Sequence, residues 1–236
     1  EPQLKWLEVA QATELHIRKC DVAQGPEVSK LIQEATDTLG AVKGVLHAAG
    51  VLDRCSLGEM TAERLSKVCD PKAAGAWHLH EGTKASSELA LFVLFSSVSA
   101  TVGLAGGASY AAANAYLDGL AMWRRERPLA ALSVKWGPVS EVGMTAAAGS
   151  DSHLEAMALK ALSPAQVGSA LRVLLTQQGP SPNIRGELML ARVDWAAFLR
   201  EVGVDIPQLK DFTSRELALT GAGGAAGKAS ALAALS

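Results

Sequence analysis

Apolar positions along the 236-residue chain follow two different periods. The short, continuously apolar run at residues 91–95 predicts a strand that is buried on both faces of a parallel sheet. Longer stretches with apolar residues three and four apart predict amphipathic helices between such strands. Because strands and helices alternate, the pattern predicts an α/β domain with a doubly wound parallel sheet.

The predicted elements run through most of the chain. The predicted helices cover residues 3–13, 26–39, 60–69, 72–85, 109–126 and 163–177, and the predicted strands cover residues 15–19, 42–47, 91–95, 131–135 and 187–193. Pro26 in the first turn and Gly40 after the last turn bound the second helix. The basic residues at 123–127 are interpreted as the solvated end of the fifth helix.

The last nineteen residues differ in composition from the rest. Residues 218–236 contain only Ala, Gly, Leu, Ser, Thr and one Lys. Such a segment cannot bury enough apolar surface to order itself, so it predicts a flexible linker after a folded region at 1–217.

Composition and charge limit the kinds of partner that the chain is expected to bind. The chain is 49% hydrophobic and 19% charged, with a net charge of −2, which gives no electrostatic reason to expect nucleic acid or an anionic membrane. Residues 89–117 are uncharged over a length that could span a bilayer, but serines, Asn114 and central glycines favour a packed strand, loop and helix instead. The odd number of cysteines without a close pair argues against disulfides or a zinc site and favours a cytoplasmic location.

One group of polar residues follows the buried strand. Ser96 and Ser97 end it, Tyr110 comes thirteen residues after Ser97, and Asn114 comes four residues later. Helical spacing puts Tyr110 and Asn114 on one face, and strand alternation allows only one serine to face them. Taken singly, each feature is more often structural than functional.

Five neighbouring segments, taken together with these residues, favour a functional role over a structural one. They are His47-Ala-Ala-Gly-Val-Leu, Asp70-Pro-Lys-Ala-Ala-Gly-Ala-Trp-His-Leu-His, Phe92-Val-Leu-Phe-Ser-Ser, Tyr110-Ala-Ala-Ala-Asn-Ala-Tyr-Leu-Asp-Gly-Leu-Ala and Trp136-Gly-Pro. In this order they resemble the signatures of ketoreductase domains of modular polyketide synthases, a branch of the short-chain dehydrogenase/reductase superfamily. The resemblance runs from about Cys20 to Phe212. Ordinary members carry Tyr-x-x-x-Lys, whereas the synthase branch has Asn in the lysine position, as at Asn114, and a lysine from an earlier helix, as at Lys72.

The resemblance implies a role for each of four residues. Tyr110 would be the general acid that protonates the carbonyl oxygen, and Lys72 would supply a charge that stabilises the phenolate. Ser97 would donate a hydrogen bond to the substrate oxygen, and Asn114 would hold a water and proton path.

The resemblance also implies contacts with the cofactor, NADPH. The implied cofactor residues are Asp21 and Val22 beside the adenine ring, Ala48, Ala49 and Gly50 in a turn without bulk, Tyr110, and Trp136, Gly137 and Pro138 with Met144 beside the nicotinamide. The turn at 48–50 is equally a tight strand-to-helix connection, and Trp136 is equally a core residue.

The implied function is reduction of a β-ketoacyl thioester on an acyl carrier protein, with NADPH, inside a polyketide synthase. The implied partners are the acyl carrier protein and the other synthase domains, without nucleic acid or membrane. Two alternatives remain: a non-catalytic ketoreductase-like domain, which the joint presence of Lys72, Ser97, Tyr110 and Asn114 disfavours, and a free-standing short-chain reductase, which Asn114 and the linker disfavour.

A Rossmann-like sheet ordinarily begins with a strand, a glycine-rich turn and a helix that holds the pyrophosphate. Nothing of this kind precedes Leu15. We therefore expect the first strand–helix–strand portion to be absent from this chain, with a possible N-terminal segment from elsewhere completing the sheet.

This expectation gives a binding prediction. The chain alone should bind NADPH far more weakly than an intact ketoreductase, and should associate through the open edge of its sheet. Titration with NADPH, followed by nicotinamide fluorescence, measures the first. Low-micromolar affinity in a monodisperse monomer would contradict it.

Overall fold

A computed structural model of the chain describes residues 14–140, 158–176, 186–194, 197 and 198. The helices are α1 (Gly25–Leu39), α2 (Ala62–Cys69), α3 (Gly75–Thr83), α4 (Ser99–Val102), α5 (Ala108–Arg125) and α6 (Pro164–Thr176), with a 3₁₀ turn at Leu57–Glu59 and a π-helical turn at Asp70–Ala74. The strands are β1 (Gly44–His47), β2 (Leu91–Ser97), β3 (Leu132–Trp136), β4 (Leu159–Lys160), β5 (Glu187–Leu190) and β6 (Arg192–Val193). The predicted helix at 3–13, the predicted linker at 218–236 and Met144 lie outside the described residues.

Four strands form one parallel sheet in the order β1-β2-β3-β5, and β4 pairs with β6 in a separate antiparallel pair. Successive strands of the parallel sheet are joined by helical segments, as the alternating pattern predicted. The predicted α/β parallel sheet is therefore confirmed.

Strand β2 lies at the centre of two apolar layers. Phe92 and Leu94 pack with buried residues of α3 and α5, whereas Val93 packs with β3 and with apolar residues of α6. Alternate side chains of one strand thus reach opposite faces of the sheet. This is why the run at 91–95 contains no polar residue.

The predicted helices at 60–69 and 72–85 join into one continuous helical segment. Pro71 has no amide hydrogen, and a proline inside an α-helix normally breaks it. Here the chain widens into the π-helical turn, in which the Gly75 amide donates to the carbonyls of Asp70 and Lys72, and helix α3 follows without a loop. Local π-helical turns often occur at functional positions.

Three predictions about elements were wrong. Residues 15–19 form no strand, because none of the described residues pairs with them, and Leu15 and Ile17 remain 54% and 63% exposed. The predicted strand at 187–193 breaks at Ala191, and its end pairs with β4 instead. The short helix α4 was missed because the serine- and glycine-rich sequence there predicts a loop.

Arg124 corrects the interpretation of residues 123–127 as a solvated helix end. Its side chain is fully buried, its guanidinium carbon lies 3.8 Å from the centroid of the Phe92 ring, and its Nε donates to the carbonyl of Ala130 at 3.0 Å. The Nη1 atom of Arg124 also contacts Nδ1 of His80. Burial lowers the pKa of Arg124 to about 10.

The outer edge of β1 pairs with no strand among the described residues. Leu46 on this strand is 47% exposed. In the same described part of the chain, no helix is both long and apolar enough to cross a membrane.

The two-layer core predicts the effect of a substitution in β2. Leu94→Ala should lower the free energy of unfolding by about 2–5 kcal/mol, because Leu94 is fully buried and the cavity cannot close completely. Urea unfolding of the chain measures this. Leu57→Ala is the control, since Leu57 is 77% exposed, and should change stability by less than about 0.5 kcal/mol. Equal effects of the two variants would contradict the position of β2.

Candidate active site

Four of the residues singled out in the sequence lie together at the carboxyl end of β2. Lys72 comes from the π-helical turn, Ser97 ends β2, and Tyr110 and Asn114 lie one turn apart on α5. The Lys72 Nζ lies 5.5 Å from the centroid of the Tyr110 ring. Carboxyl ends of parallel strands are where open α/β sheets place their ligands, so this cluster is the candidate active site.

Lys72 is enclosed by protein and only 2% exposed. Its ammonium donates a hydrogen bond of 2.8 Å to the carbonyl of Phe95. Burial lowers the pKa of Lys72 to about 8, although the carboxylate of Asp118 opposes the change. The ammonium form still predominates at pH 7, so a positive charge lies beside the phenol ring.

Burial has the opposite consequence for Tyr110. Removal from water raises the pKa of its phenol, and the polar side chains of Asn114 and Ser97 lower it in part. Tyr110 is therefore protonated at neutral pH and has a proton to donate. The nearby ammonium of Lys72 favours the phenolate that would remain after donation.

Asn114 is fully buried, and only half of its amide is satisfied. Its Nδ2 donates to the carbonyl of Tyr110 at 2.7 Å, whereas its Oδ1 has no hydrogen-bond partner among the described residues. Buried polar atoms in native proteins are almost always paired with protein or with water. The free oxygen is thus a position where a bound water or ligand donor would be stabilised.

The two serines at the end of β2 have different environments. Ser96 is buried, and its Oγ donates to the carbonyl of Asn114 at 3.3 Å. The Oγ of Ser97 accepts a hydrogen bond of 3.2 Å from the amide of Ser99, at the start of α4. This leaves the Ser97 hydroxyl hydrogen available for donation. Ser97 is the serine that influences Tyr110, which agrees with the alternation argument.

The residues singled out for the cofactor have structural contacts of their own. Asp21 is exposed, and its carboxylate accepts from the amide of Ala23 at 3.0 Å in the turn before α1. The carbonyl of Val22 lies 3.1 Å from Nδ1 of His78. Ala48, Ala49 and Gly50 form the irregular turn after β1, where Ala48 is exposed.

The segment after β3 is more deeply buried. Trp136 belongs to the apolar cluster on the α6 side of the sheet, with its ring 5.7 Å from that of Phe95. A side chain at Gly137 would come within 3.1 Å of Ala191, and the carbonyl of Pro138 accepts from the amide of Leu162 at 2.7 Å. The core alternative that we noted for Trp136 is thus the one its contacts support.

Two residues at the site were missed in the sequence. Nε2 of His47 lies 3.0 Å from the carbonyl of Lys72. Asp118 accepts from the Ser133 hydroxyl at 2.6 Å and lies 3.6 Å from the ammonium of Lys135. A signal existed for Asp118, since it follows Asn114 by four positions on the same helix face. Across the described residues, no three His, Cys, Asp or Glu side chains are grouped as metal ligands.

The fold and this cluster define the class of protein. A model of the KR domain family matches residues 3–141. The chain belongs to this family. Solved structures with the same fold include the first ketoreductase of the tylosin polyketide synthase, with a TM-score of 0.74, 31% identity and coverage of 89% of this chain and 46% of that chain. The similarity to an A-type ketoreductase of a modular polyketide synthase has a TM-score of 0.76, at 32% identity over 87% of this chain and 42% of the other.

Curated relatives are much longer polypeptides. The phenolphthiocerol synthesis polyketide synthase type I of Mycobacterium marinum is 41% identical over 155 residues, which are 66% of this chain and 7% of that protein. A spectinabilin polyketide synthase system protein of Streptomyces orinoci is 48% identical over 129 residues, 55% of this chain and 6% of that protein. The chain therefore spans a small part of the relatives that it matches, and the predicted family is confirmed.

The depressed pKa of Lys72 predicts a pH-dependent stability. Its pKa is about 8 in the folded chain against 10.5 for an ordinary lysine, so the unfolded chain binds more protons between these values and stability rises with pH there. Lys72→Met removes this titration. The stability of the variant minus that of the parent should therefore fall by on the order of 3 kcal/mol between pH 7 and pH 10.5.

Urea unfolding of both proteins at several pH values measures this difference. Lys84→Met is the matched control, because Lys84 lies on the surface in an ion pair with Glu81. Because an exposed ion pair contributes little, the loss of Lys84 should change the free energy of unfolding by no more than about 1 kcal/mol. A flat difference for Lys72→Met would show that the ammonium is not buried.

Proposed function

We propose that the chain contributes the reducing site for the ketone of a β-ketoacyl thioester, which is carried by an acyl carrier protein within a polyketide synthase, with NADPH as the hydride donor. The observation that carries this proposal is the buried ammonium of Lys72 beside the protonated phenol of Tyr110. This pair suits a reaction in which a carbonyl oxygen must gain a proton while negative charge develops on it.

The cluster fits a nicotinamide cofactor in two respects. The turn at Ala48, Ala49 and Gly50 presents little side-chain bulk next to Lys72, and the buried Oδ1 of Asn114 lacks a partner among the described residues. Ala48–Gly50, Tyr110 and the backbone of the segment Trp136–Pro138 would then hold the nicotinamide half, with the Trp136 ring in the core, and Asp21 with Val22 would hold the adenine half. When bound, NADPH supplies a hydride to the carbonyl carbon.

The chain's own residues would handle the proton. As the carbonyl oxygen becomes negative, the phenol of Tyr110 transfers its proton to that oxygen, and the O–H bond of the hydroxyacyl product forms. Lys72 stabilises the phenolate by its charge, and Ser97 donates its free hydroxyl hydrogen to the same substrate oxygen. A water at Asn114 Oδ1 would begin the path by which Tyr110 regains a proton.

The relatives support the proposed partners. The names of both relatives described above contain the words polyketide synthase, and the chain matches only a short part of each relative. Other synthase domains are therefore the proposed neighbours, and the acyl carrier protein is the proposed carrier of the substrate. An alcohol dehydrogenase from Thermococcus sibiricus, solved in complex with 5-hydroxy-NADP, is 19% identical with a TM-score of 0.64 and shows only that the fold is shared.

A non-catalytic domain is the rival function. A Mycobacterium tuberculosis synthase that is 38% identical over 154 residues carries the word inactive in its name. The burial of Lys72 argues against this rival here, because keeping its charge out of water lowers stability even with the hydrogen bond to the Phe95 carbonyl.

Substitution of the acid tests the proposal. Tyr110→Phe removes only the hydroxyl, so it should lower turnover of a β-ketoacyl thioester by about 10²–10⁴-fold while NADPH affinity is retained. The complete ketoreductase domain is assayed for turnover, and cofactor affinity is measured in parallel.

The chain offers a matched control in its only other tyrosine. Tyr116 lies on the same helix but is half-exposed, so Tyr116→Phe should leave turnover unchanged. Turnover by Tyr110→Phe within a few fold of the parent would refute the assignment of the acid.

A further inference from the structure

The position of Lys72 depends on contacts from the end of β1. Beyond the bond from its ammonium to Phe95, its backbone carbonyl accepts a hydrogen bond from His47, and its Cε packs against Gly50. His47 and Gly50 flank the turn after β1. The lysine is thus restrained at its backbone, along its aliphatic chain and at its charged end.

His47 is a buried imidazole whose tautomer is fixed by its hydrogen bond. Its Nε2 lies 3.0 Å from the carbonyl of Lys72, and because a carbonyl can only accept, Nε2 must carry the hydrogen. Burial lowers the pKa of His47, and the ammonium of Lys72 lowers it further, although the bond to the Lys72 carbonyl raises it in part. His47 is therefore the neutral donor at pH 7.

The glycine at the start of α3 provides room for this ring. Gly75 follows the π-helical turn, and a Cβ atom there would lie 3.2 Å from Cε1 of His47 and 2.9 Å from Cγ2 of Val22. A side chain at position 75 would push against both. The absence of bulk at Gly75 allows the ring to reach the Lys72 carbonyl.

Gly50 restrains the other end of the lysine. A Cβ atom at Gly50 would lie 2.8 Å from Cε of Lys72 and 3.3 Å from its Nζ. Distances of this size require the lysine side chain to move. The backbone of the turn therefore forms part of the wall that directs the ammonium towards Tyr110.

We propose that His47 is a positioning residue, which together with Gly50 fixes Lys72 so that its ammonium remains buried beside Tyr110. The effect of His47 on catalysis rests on the proposed function, whereas its effect on the position of Lys72 does not. The ionisable groups that face Lys72 are Asp118 and Tyr110 on α5 and His47 itself.

The test measures the pKa of the Lys72 amine in the chain itself from the pH dependence of its ¹³Cε NMR signal, which needs no reagent to reach the buried amine. The parent should give about 8. His47→Leu removes the donor, so Lys72 should swing towards water and its pKa should rise by at least about one pH unit. His47→Gln keeps an amide donor at similar reach and should restore the parent value.

Thr83→Val is the matched control. Thr83 is buried on α3, and its hydroxyl donates to the carbonyl of Leu79 at 2.7 Å, so the variant also loses a side-chain bond to a helix carbonyl. The pKa of Lys72 should not change in this variant. Gly50→Ala, which removes no hydrogen bond, should raise the pKa of Lys72, and it decides the question if His47→Leu does not fold. An unchanged Lys72 pKa in the folded variants of His47 and Gly50 would overturn the proposal.

A kinetic measurement separates this inference from the proposed function. In the complete domain, His47→Leu should lower kcat at least about tenfold with little change in KM, and His47→Gln should recover most of it. If the parent domain reduces no ketone, the proposed function fails, while the NMR titration still decides the positioning of Lys72. A normal kcat in His47→Leu, in a domain that does reduce ketones, would count against the positioning.

Discussion

The ammonium of Lys72 lies out of water beside a phenol, with one carbonyl as its hydrogen-bond acceptor and the carboxylate of Asp118 acting through space. Burial of a charge is unfavourable, and it lowers the pKa of Lys72 to about 8 without discharging the amine at neutral pH. The surrounding structure must therefore hold the lysine in place against its tendency to reach water. The π-helical turn, the end of β1 and the backbone of β2 supply that restraint.

Helix α5 couples this site to the core. One face of the helix buries Leu117 and Ala121 in the cluster that includes Leu94 of β2, and the same helix carries Tyr110 and Asn114 at the sheet edge. Because apolar packing fixes both the strand and the helix, the distance between Ser97 and Tyr110 is set by the core. Positioning on rigid elements in this way is what a proton transfer requires.

Two buried cations have different neighbours in this fold. Arg124 stacks on Phe92 and, with its pKa lowered by burial to about 10, remains charged at neutral pH. Lys72 lies where its charge can respond to a neighbouring phenol, and an amine changes its pKa readily on burial. Arg124 joins the end of α5 to the sheet, because its guanidinium stacks on Phe92 of β2 and its Nε donates to the carbonyl of Ala130.

The sequence by itself determined the features that depend on spacing within one element. Periodicity predicted β2 and α5, helix geometry predicted the shared face of Tyr110 and Asn114, and strand alternation predicted that only one of Ser96 and Ser97 faces the tyrosine. Lys72 was singled out by family resemblance, since nothing in its local pattern separates it from a surface lysine. Only the tertiary structure decided that Lys72 and Arg124 are buried, that the helix widens around Pro71 instead of ending there, and that residues 15–19 form no strand. The physical reason is that burial, strand pairing and contacts such as His47 with Lys72 join residues distant in the chain, whereas a sequence pattern records only near neighbours.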